Sequence, residues 1–267
     1  MKTASRIYTF LIFFFLYAPI AVMVLFSFNS TNSTGVFAGF SLKWYGELMH
    51  DTDTRAALIN TLILAVSSSI LATVIGTAAA VGIDKMKAGI FRSTIMTVTN
   101  IPMMNPDIVT GISMMLLFVF VGKLVGGQGV LGFGTMLIAH VTFDLPYVIL
   151  SVLPKLRQTD PHLAEAAQDL GCTPVSAFFK VVLPSILPGV LTGLIMSFTL
   201  SLDDFVISYF TSGPEFQTLP IRIFSMTKKR VTPDMFALSS IIFLVILALL
   251  LLINLSQVRS DKRKNKA

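Results

Sequence analysis

The stretch that decides the fold is Glu165–Pro184, which reads EAAQDLGCTPVSAFFKVVLP. It begins with a short segment of mixed polarity, turns at Gly171, and ends at a proline that opens a long apolar segment. The loop around it is too polar to cross a bilayer, and basic residues such as Lys155 and Arg157 favour the cytoplasmic side. We therefore predict a structured cytoplasmic loop, residues 155–184, between two membrane helices.

The remainder of the chain is strongly apolar. Of its 267 residues, 54% are hydrophobic and only 13% are charged. A bilayer core of about 30 Å requires about 20 apolar residues from each crossing helix. We predict an all-α integral membrane protein with one transmembrane domain over residues 1–267, whose helices lie at about 7–28, 59–83, 94–122, 133–154, 185–208 and 236–257.

Basic residues indicate the orientation of the chain in the membrane. Lys2 and Arg6 precede the first apolar segment, and a basic cluster at 259–266 follows the last one. Because such residues concentrate on the cytoplasmic side, both termini are predicted to be cytoplasmic. The external run Lys228-Lys229-Arg230 opposes this assignment, but more Lys and Arg residues fall on the predicted inside.

The external segment Asn29–Arg55 contains the aromatic pair Trp44 and Tyr45. Tryptophan and tyrosine at such a position usually lie among the lipid headgroups. The alternative interpretation is a docking surface for an external partner.

Four acids lie inside otherwise apolar segments. An acid at the centre of a membrane helix costs about 2.5–3.5 kcal/mol on insertion scales, so it normally faces a cavity or a partner. A structural hydrogen bond or an interfacial position is the alternative for each of them. We predict that these acids line a pathway for a cationic substrate: Asp107, Asp144, Asp203 and Asp204.

Two of these acids are neighbours, so they cannot face one site equally if the helix is regular. On a continuous helix Asp204 shares a stripe with Ser197, Ser201 and Ser208, whereas Asp203 lies among larger apolar residues. This pattern favours Asp204 as the acid that faces water, but a break in the helix could reverse the order, so both acids are candidates.

The composition argues against several other functions. The single cysteine, Cys172, and three scattered histidines predict no metal site. No nucleophile–base pattern or phosphate-binding loop indicates an enzyme, and no cofactor is expected. The net charge of +6 comes largely from the basic tail, which suits anionic lipid rather than nucleic acid.

The spacing within Glu165–Pro184 resembles the EAA loop of ABC importer permeases. The matching residues are Glu165-Ala166-Ala167, Gly171 and Leu183-Pro184, with Val181 where the family usually has isoleucine. In that family the loop forms a coupling helix that docks on an ATPase. The resemblance therefore implies that Glu165, Ala166, Ala167, Gly171, Leu183 and Pro184 couple transport to ATP hydrolysis.

Further stretches resemble the PotC-type permeases of spermidine/putrescine ABC transporters. They are Lys43-Trp44-Tyr45, Pro106-Asp107-Ile108-Val109, Ser197–Asp204 and Thr218-Leu219-Pro220. The resemblance implies a type I ABC importer permease with the MetI-like fold, in the bacterial cytoplasmic membrane, that moves polyamines. It also implies a PotA-type ATPase dimer, a PotB-type companion permease and a PotD-type extracellular polyamine-binding protein as partners.

Two alternatives stay open at this point. An ABC permease for another cationic or iron-bound solute would share the same loop. An ion-coupled secondary carrier could use the same intramembrane acids, but such carriers often contain inverted repeats, which are not recognisable in this sequence.

Overall fold

The computed structural model describes residues 2–33, 35–126, 129–229, 233–245 and 247–248. Within these ranges the regular elements are helices. In addition, Asn29 and Phe40 form one isolated antiparallel bridge. The helices are α1 (Lys2–Phe26), α2 (Lys43–His50), α3 (Thr52–Lys85), α4 (Ile90–Met104), α5 (Asp107–Leu124), α6 (Phe133–Gln158), α7 (Leu163–Asp169), α8 (Pro174–Ala177), a π-helical turn (Phe178–Val182), α9 (Leu183–Asp203), α10 (Val206–Thr211), α11 (Leu219–Lys229) and α12 (Pro233–Val245).

Five helical spans in the described ranges are long and apolar enough to cross a membrane. They confirm an all-helical, multi-pass architecture. The helix predicted at 236–257 is described only as the shorter α12, and its remainder, like the basic tail at 259–266, lies outside the described residues. The five spans are Arg6–Phe26, Thr52–Lys85, Asp107–Leu124, Phe133–Gln158 and Pro174–Asp203.

The segment predicted as a helix at 94–122, in which Pro102 and Pro106 favour a break in regularity near mid-membrane, is two helices. Helix α4 ends at Met104, and the next residue, Asn105, is extended, with φ −83° and ψ 139°. Proline disfavours helical geometry in the residue before it and supplies no backbone N–H. Pro106 therefore explains both the end of α4 and the start of α5 at Asp107.

The segment predicted as one helix at 185–208 is also interrupted. Helix α9 ends at Asp203, and Asp204 is extended, with φ −63° and ψ 124°. The chain then forms the six-residue helix α10. This break contains neither proline nor glycine, so other contacts must hold it open.

The described residues fall into two compact units, one within 1–55 and 223–267 and the other within Ala56–Arg222. In the second unit α6 packs against α9, and the fully buried Val148 and Val152 of α6 belong to its apolar core. Glycines permit this close packing: a Cβ at Gly193 would lie 3.2 Å from the Cα atom of Val148, and one at Gly189 would lie 2.8 Å from the Ser151 carbonyl oxygen. Helices in lipid commonly associate through contacts made by small residues.

In the first unit the buried Asn29 organises the loop after α1. Its amide nitrogen donates to the carbonyl oxygens of Ser33 and Val36 at 2.7 and 2.8 Å, and its side-chain oxygen accepts from the Ala38 N–H. The Trp44 indole donates to the Asn29 carbonyl oxygen at 2.6 Å. Trp44 is buried within this unit, so it stabilises the loop rather than presenting an open aromatic face.

Candidate substrate pathway and coupling segment

The coupling segment, defined here as residues 163–184, begins with α7. Glu165 lies in the first turn of that helix, where a negative charge interacts favourably with the helix dipole. Glu165 and Ala166 are exposed, whereas Ala167 is buried against the rest of the chain. The Glu165-Ala166-Ala167 pattern therefore has two outward positions and one that anchors α7.

A left-handed glycine ends α7. Gly171 has φ +88°, its N–H donates to the Gln168 carbonyl oxygen at 2.8 Å, and the Cys172 N–H donates to the Ala167 carbonyl oxygen at 3.1 Å. This pair of hydrogen bonds is the Schellman arrangement, which favours glycine at the left-handed position. No atom lies within 4 Å of a Cβ added at Gly171, so its backbone conformation, not space, requires glycine.

The chain then turns back into the membrane. The Ser176 N–H donates to the Thr173 hydroxyl, which caps α8 with Pro174 in its first turn. The π-helical turn joins α8 to α9, whose first two residues are Leu183 and Pro184. A proline is tolerated there because the first N–H groups of a helix have no intrahelical partner.

Several large apolar side chains of the coupling segment are exposed in this chain. Leu170 is 88% exposed, Val175 67% and Phe179 59%. Leu170 precedes the apolar span Pro174–Asp203, and Val175 and Phe179 lie in its first two turns. Neighbouring exposed apolar residues of this kind are typical of a protein–protein contact.

The exposed pair His162 and Glu165 allows a direct electrostatic test. The ring nitrogen Nδ1 of His162 and Oε2 of Glu165 are 3.0 Å apart. The hydrogen bond to Glu165 and its negative charge, with a further contribution from Asp160, raise the pKa of His162 above its ordinary value. The protonated, paired form is thereby favoured, and the pair is lost as the pH rises through that pKa.

We expect Glu165→Gln to move the titration midpoint of His162 to lower pH, because the substitution removes the negative charge that favours the imidazolium. The measurement is an NMR titration of labelled histidine in the detergent-solubilised chain. Asp169→Asn, which removes another acid of α7, is the matched control and should leave the midpoint unchanged. Equal midpoints in the wild type and Glu165→Gln would contradict the assignment.

The four predicted pathway acids occupy different environments. Asp107, the first residue of α5, and Asp203, the last residue of α9, are exposed in this chain. Asp144 on α6 is 0% exposed. Asp204 lies between these extremes, with most of its side chain covered. That all four line a pathway stays a prediction.

The helix break gives Asp203 and Asp204 surroundings that differ from those expected on a regular helix. Its two carboxylate oxygens accept hydrogen bonds from the N–H groups of Ile207 and Ser208, at 3.2 and 2.7 Å. Asp204, which lies at the break between α9 and α10, thus caps the N-terminal end of α10. Because the helix stops after Asp203, the stripe expected for a regular helix does not continue, and Asp203 is the more open of the two.

Asp144 is held inside the chain. Neither carboxyl oxygen has a hydrogen-bond partner of ordinary geometry among the described residues, although Ser197, whose hydroxyl is also unpaired, lies close enough to interact with it. The buried position places Asp144 among the groups that pack α6 against α9 rather than on an open surface.

The sequence interpretation missed His140, because it considered histidine only as a metal ligand. His140 is 1% exposed on α6, and its ring contacts side chains on both sides of the α9–α10 break. The signal available in the sequence was its position four residues before Asp144, which puts both polar side chains on one face of α6. Within the described residues no group of three or more metal-ligating side chains is present.

Comparison with known proteins identifies the class. A family described as "binding-protein-dependent transport system inner membrane component" matches residues 72–266. The chain therefore belongs to this family of ABC importer permeases, which are multi-pass membrane transport subunits and not enzymes. This confirms the class that the EAA-like loop indicated.

Relatives extend the similarity over most of the chain. The putrescine transport system permease protein PotI of Escherichia coli is 40% identical over 232 residues, 86% of this chain and 82% of that protein. The spermidine/putrescine permease PotC of the same species is 37% identical over 255 residues, 95% of this chain and 92% of PotC. The Haemophilus influenzae PotC is 38% identical over 247 residues, 92% of this chain and 93% of that protein. The resemblance to PotC-type permeases is confirmed.

Solved structures show the same fold at low identity. A chain of a bacterial ABC transporter involved in import of the acidic polysaccharide alginate superposes with a TM-score of 0.73 at 14% identity, covering 96% of this chain and 94% of that chain. A second structure of the alginate transporter, in complex with an alginate-pentasaccharide-bound periplasmic protein, has a TM-score of 0.72 at 16% identity, covering 94% and 91%. The match supports the permease fold and carries no information on the substrate.

Proposed function

We propose that this chain is one permease subunit of an ATP-driven importer of polyamines, with spermidine and putrescine as substrates. The observation that carries the proposal is the 37–40% identity, over 86–95% of the chain, to permeases named for those two solutes. A companion PotB-type permease, a PotA-type ATPase dimer and a PotD-type extracellular binding protein would complete the transporter.

The coupling segment would contact the ATPase. Its exposed apolar residues, Leu170, Val175 and Phe179, provide a surface for a protein partner. Glu165 and Ala166 on the open side of α7 would lie in that contact, and the Gly171 turn would set the angle between α7 and α8. Leu183 and Pro184 would transmit a displacement of the segment to α9, because they form its first turn.

The open acids Asp107 and Asp203 would face the substrate. Each ends or begins a helix at a break, where the backbone leaves regular geometry. Irregular backbone at membrane depth is tolerated where it is buried in protein or lines a water-filled cavity. Separated carboxylates along such a cavity would compensate a polyamine for the hydration that its ammonium groups lose. Asp204 and Asp144 would support the walls of the pathway without lining it. Asp204 would do so by capping α10, and Asp144 through the packing of α6.

Uptake by the reconstituted complex tests the function. The complex of this chain with its companion permease and ATPase is placed in proteoliposomes with the binding protein, and radiolabelled spermidine, putrescine and a neutral sugar are supplied separately. We expect ATP-dependent uptake of the two polyamines only. Uptake of the sugar alone would contradict the proposal. Another labelled cation and an iron complex are supplied in further samples, and uptake of either one without uptake of polyamines would favour the remaining alternative of another substrate.

The orientation has its own test. In a Cys172→Ser background, which removes the single native cysteine, Ser33→Cys and Gln217→Cys are expected to react with an impermeant thiol reagent added outside intact cells. Val175→Cys, which is exposed in the coupling segment, is expected to react only after permeabilisation. The reverse pattern would mean that the external basic run sets the topology.

A further inference from the structure

His140 contacts both sides of the α9–α10 break with a single ring. Its Nδ1 lies 2.6 Å from the hydroxyl oxygen of Ser201, in the last turns of α9, and its Nε2 lies 3.0 Å from the hydroxyl oxygen of Ser208, in α10. Nε2 is also 3.5 Å from Oδ2 of Asp204, the extended residue at the break. His140 and both serines are buried.

The network extends to a fourth helix. The hydroxyl oxygens of Ser68 on α3 and Ser201 on α9 are 2.8 Å apart. An ionised carboxylate can only accept a hydrogen bond, so the nitrogen that faces Asp204 is assigned the ring hydrogen, and Ser201 then donates to Nδ1. With this assignment Ser68 donates to Ser201, so the imidazole connects α6 directly to α9 and α10 and reaches α3 through Ser201.

The break depends on these contacts. Asp204 and its neighbours include no proline or glycine that would interrupt the helix by themselves, and a six-residue helix such as α10 is not stable in isolation. Asp204 accepts hydrogen bonds from two N–H groups of α10, while the His140 ring forms hydrogen bonds with the hydroxyl groups on either side of the break. Asp203 is the last residue of α9, so the position at which α9 ends determines the direction of the Asp203 side chain.

We propose that His140 is a positioning residue for substrate passage: it holds α9 and α10 at a fixed angle and thereby keeps Asp203 facing the pathway. This rests on the proposed function, in which Asp203 contacts the polyamine. His140 itself, fully covered by the chain, does not touch the substrate. Its removal should therefore weaken substrate recognition through a change in the geometry of the break.

The experiment compares His140→Ala and His140→Gln with Thr61→Val in the assembled transporter. Thr61 is an equally buried hydroxyl residue on α3 whose Oγ1 accepts from the Leu219 N–H at 2.7 Å, away from the break, so Thr61→Val is the matched control. Spermidine uptake kinetics give KM and kcat. Hydrogen–deuterium exchange of the peptide covering residues 204–212 reports the break without any substrate.

For His140→Ala we expect at least about a fivefold increase in KM and at least about tenfold faster exchange of the 204–212 peptide, because buried hydrogen bonds on both sides of the break are lost. His140→Gln, which retains an amide in reach of Ser208, should have an intermediate effect on both. Thr61→Val should change neither quantity.

Unchanged exchange in His140→Ala would overturn the proposal, and so would faster exchange with an unchanged KM, since the residue would then only stabilise the fold. An equal effect of Thr61→Val on both quantities would also overturn it. If His140→Ala does not assemble, Ser208→Ala removes one side of the contact and is judged by the same two criteria. Absence of polyamine uptake by the wild-type complex would instead contradict the proposed function, and the exchange result would still decide whether His140 holds the break.

Discussion

Gly171→Val is expected to reduce ATP-driven polyamine uptake about 5- to 30-fold while the complex still assembles. Gly171 has φ +88°, and a left-handed backbone costs an ordinary residue about 1–2 kcal/mol. That cost corresponds to a factor of about 5 to 30 in the population of the turn that joins α7 to α8. Uptake in proteoliposomes, with ATP hydrolysis measured in parallel, is expected to show hydrolysis that is poorly coupled to transport.

Two companion variants separate backbone conformation from side-chain size. Gly171→Ala adds one methyl group into open space, so any loss must come from the backbone. Gly171→Asn is larger, but asparagine adopts the left-handed region more readily than other residues. We expect Asn to retain more uptake than Ala. Normal uptake by Gly171→Val, or a loss that simply increases with side-chain volume, would rule out this explanation.

Asp203→Asn is expected to raise KM for spermidine about 10- to 100-fold with little change in assembly. A hydrogen bond between charged groups contributes about 1.5–3 kcal/mol, and each 1.4 kcal/mol changes an equilibrium constant tenfold. The substitution preserves the size of the side chain and removes its charge. Because Asp203 is exposed, the substitution should disturb little of the packing within the described chain.

Asp204→Asn provides the contrast. Its carboxylate caps α10 through the Ile207 and Ser208 N–H groups, so the amide should weaken the cap and lower the thermal stability of the complex more than Asp203→Asn does. If Asp203→Asn imports spermidine normally and Asp204→Asn alone raises KM, then Asp204 is the pathway acid and our assignment of the pair is wrong.

Much of the architecture could be predicted from apolar length alone. Helices of membrane-spanning length have to satisfy their backbone internally, so the segments around α1, α3, α6 and α9 were recognisable without any knowledge of packing. Pro106 also gave a local reason for a break after α4. The coupling segment was recognisable because Glu165, Gly171 and Pro184 each have a local backbone role at a fixed spacing.

The break at Asp204 could not be predicted in the same way. The residues around it favour a helix about as well as those before it, and the break is satisfied by the local cap of α10 together with contacts to α6 that are distant in sequence. The helical-stripe argument for Asp203 and Asp204 therefore does not apply across the break, and which of the two faces a pathway stays a prediction. His140 was overlooked for a related reason, because its partners Ser201 and Ser208 become neighbours only when α6 packs against α9 and α10.

The π-helical turn at Phe178–Val182 has a consequence for comparing this chain with its relatives. A π turn contains one residue more than the α-helical turn it replaces. Deleting a single residue there would convert the π turn into an α-helical turn, and because each turn completes about one revolution, α8 and Gly189 would keep nearly the same relative rotation about the helix axis. A one-residue gap in this stretch of an alignment would therefore leave the coupling segment in the same orientation, whereas the same gap in a regular α-helical stretch would rotate one flank by about 100° relative to the other.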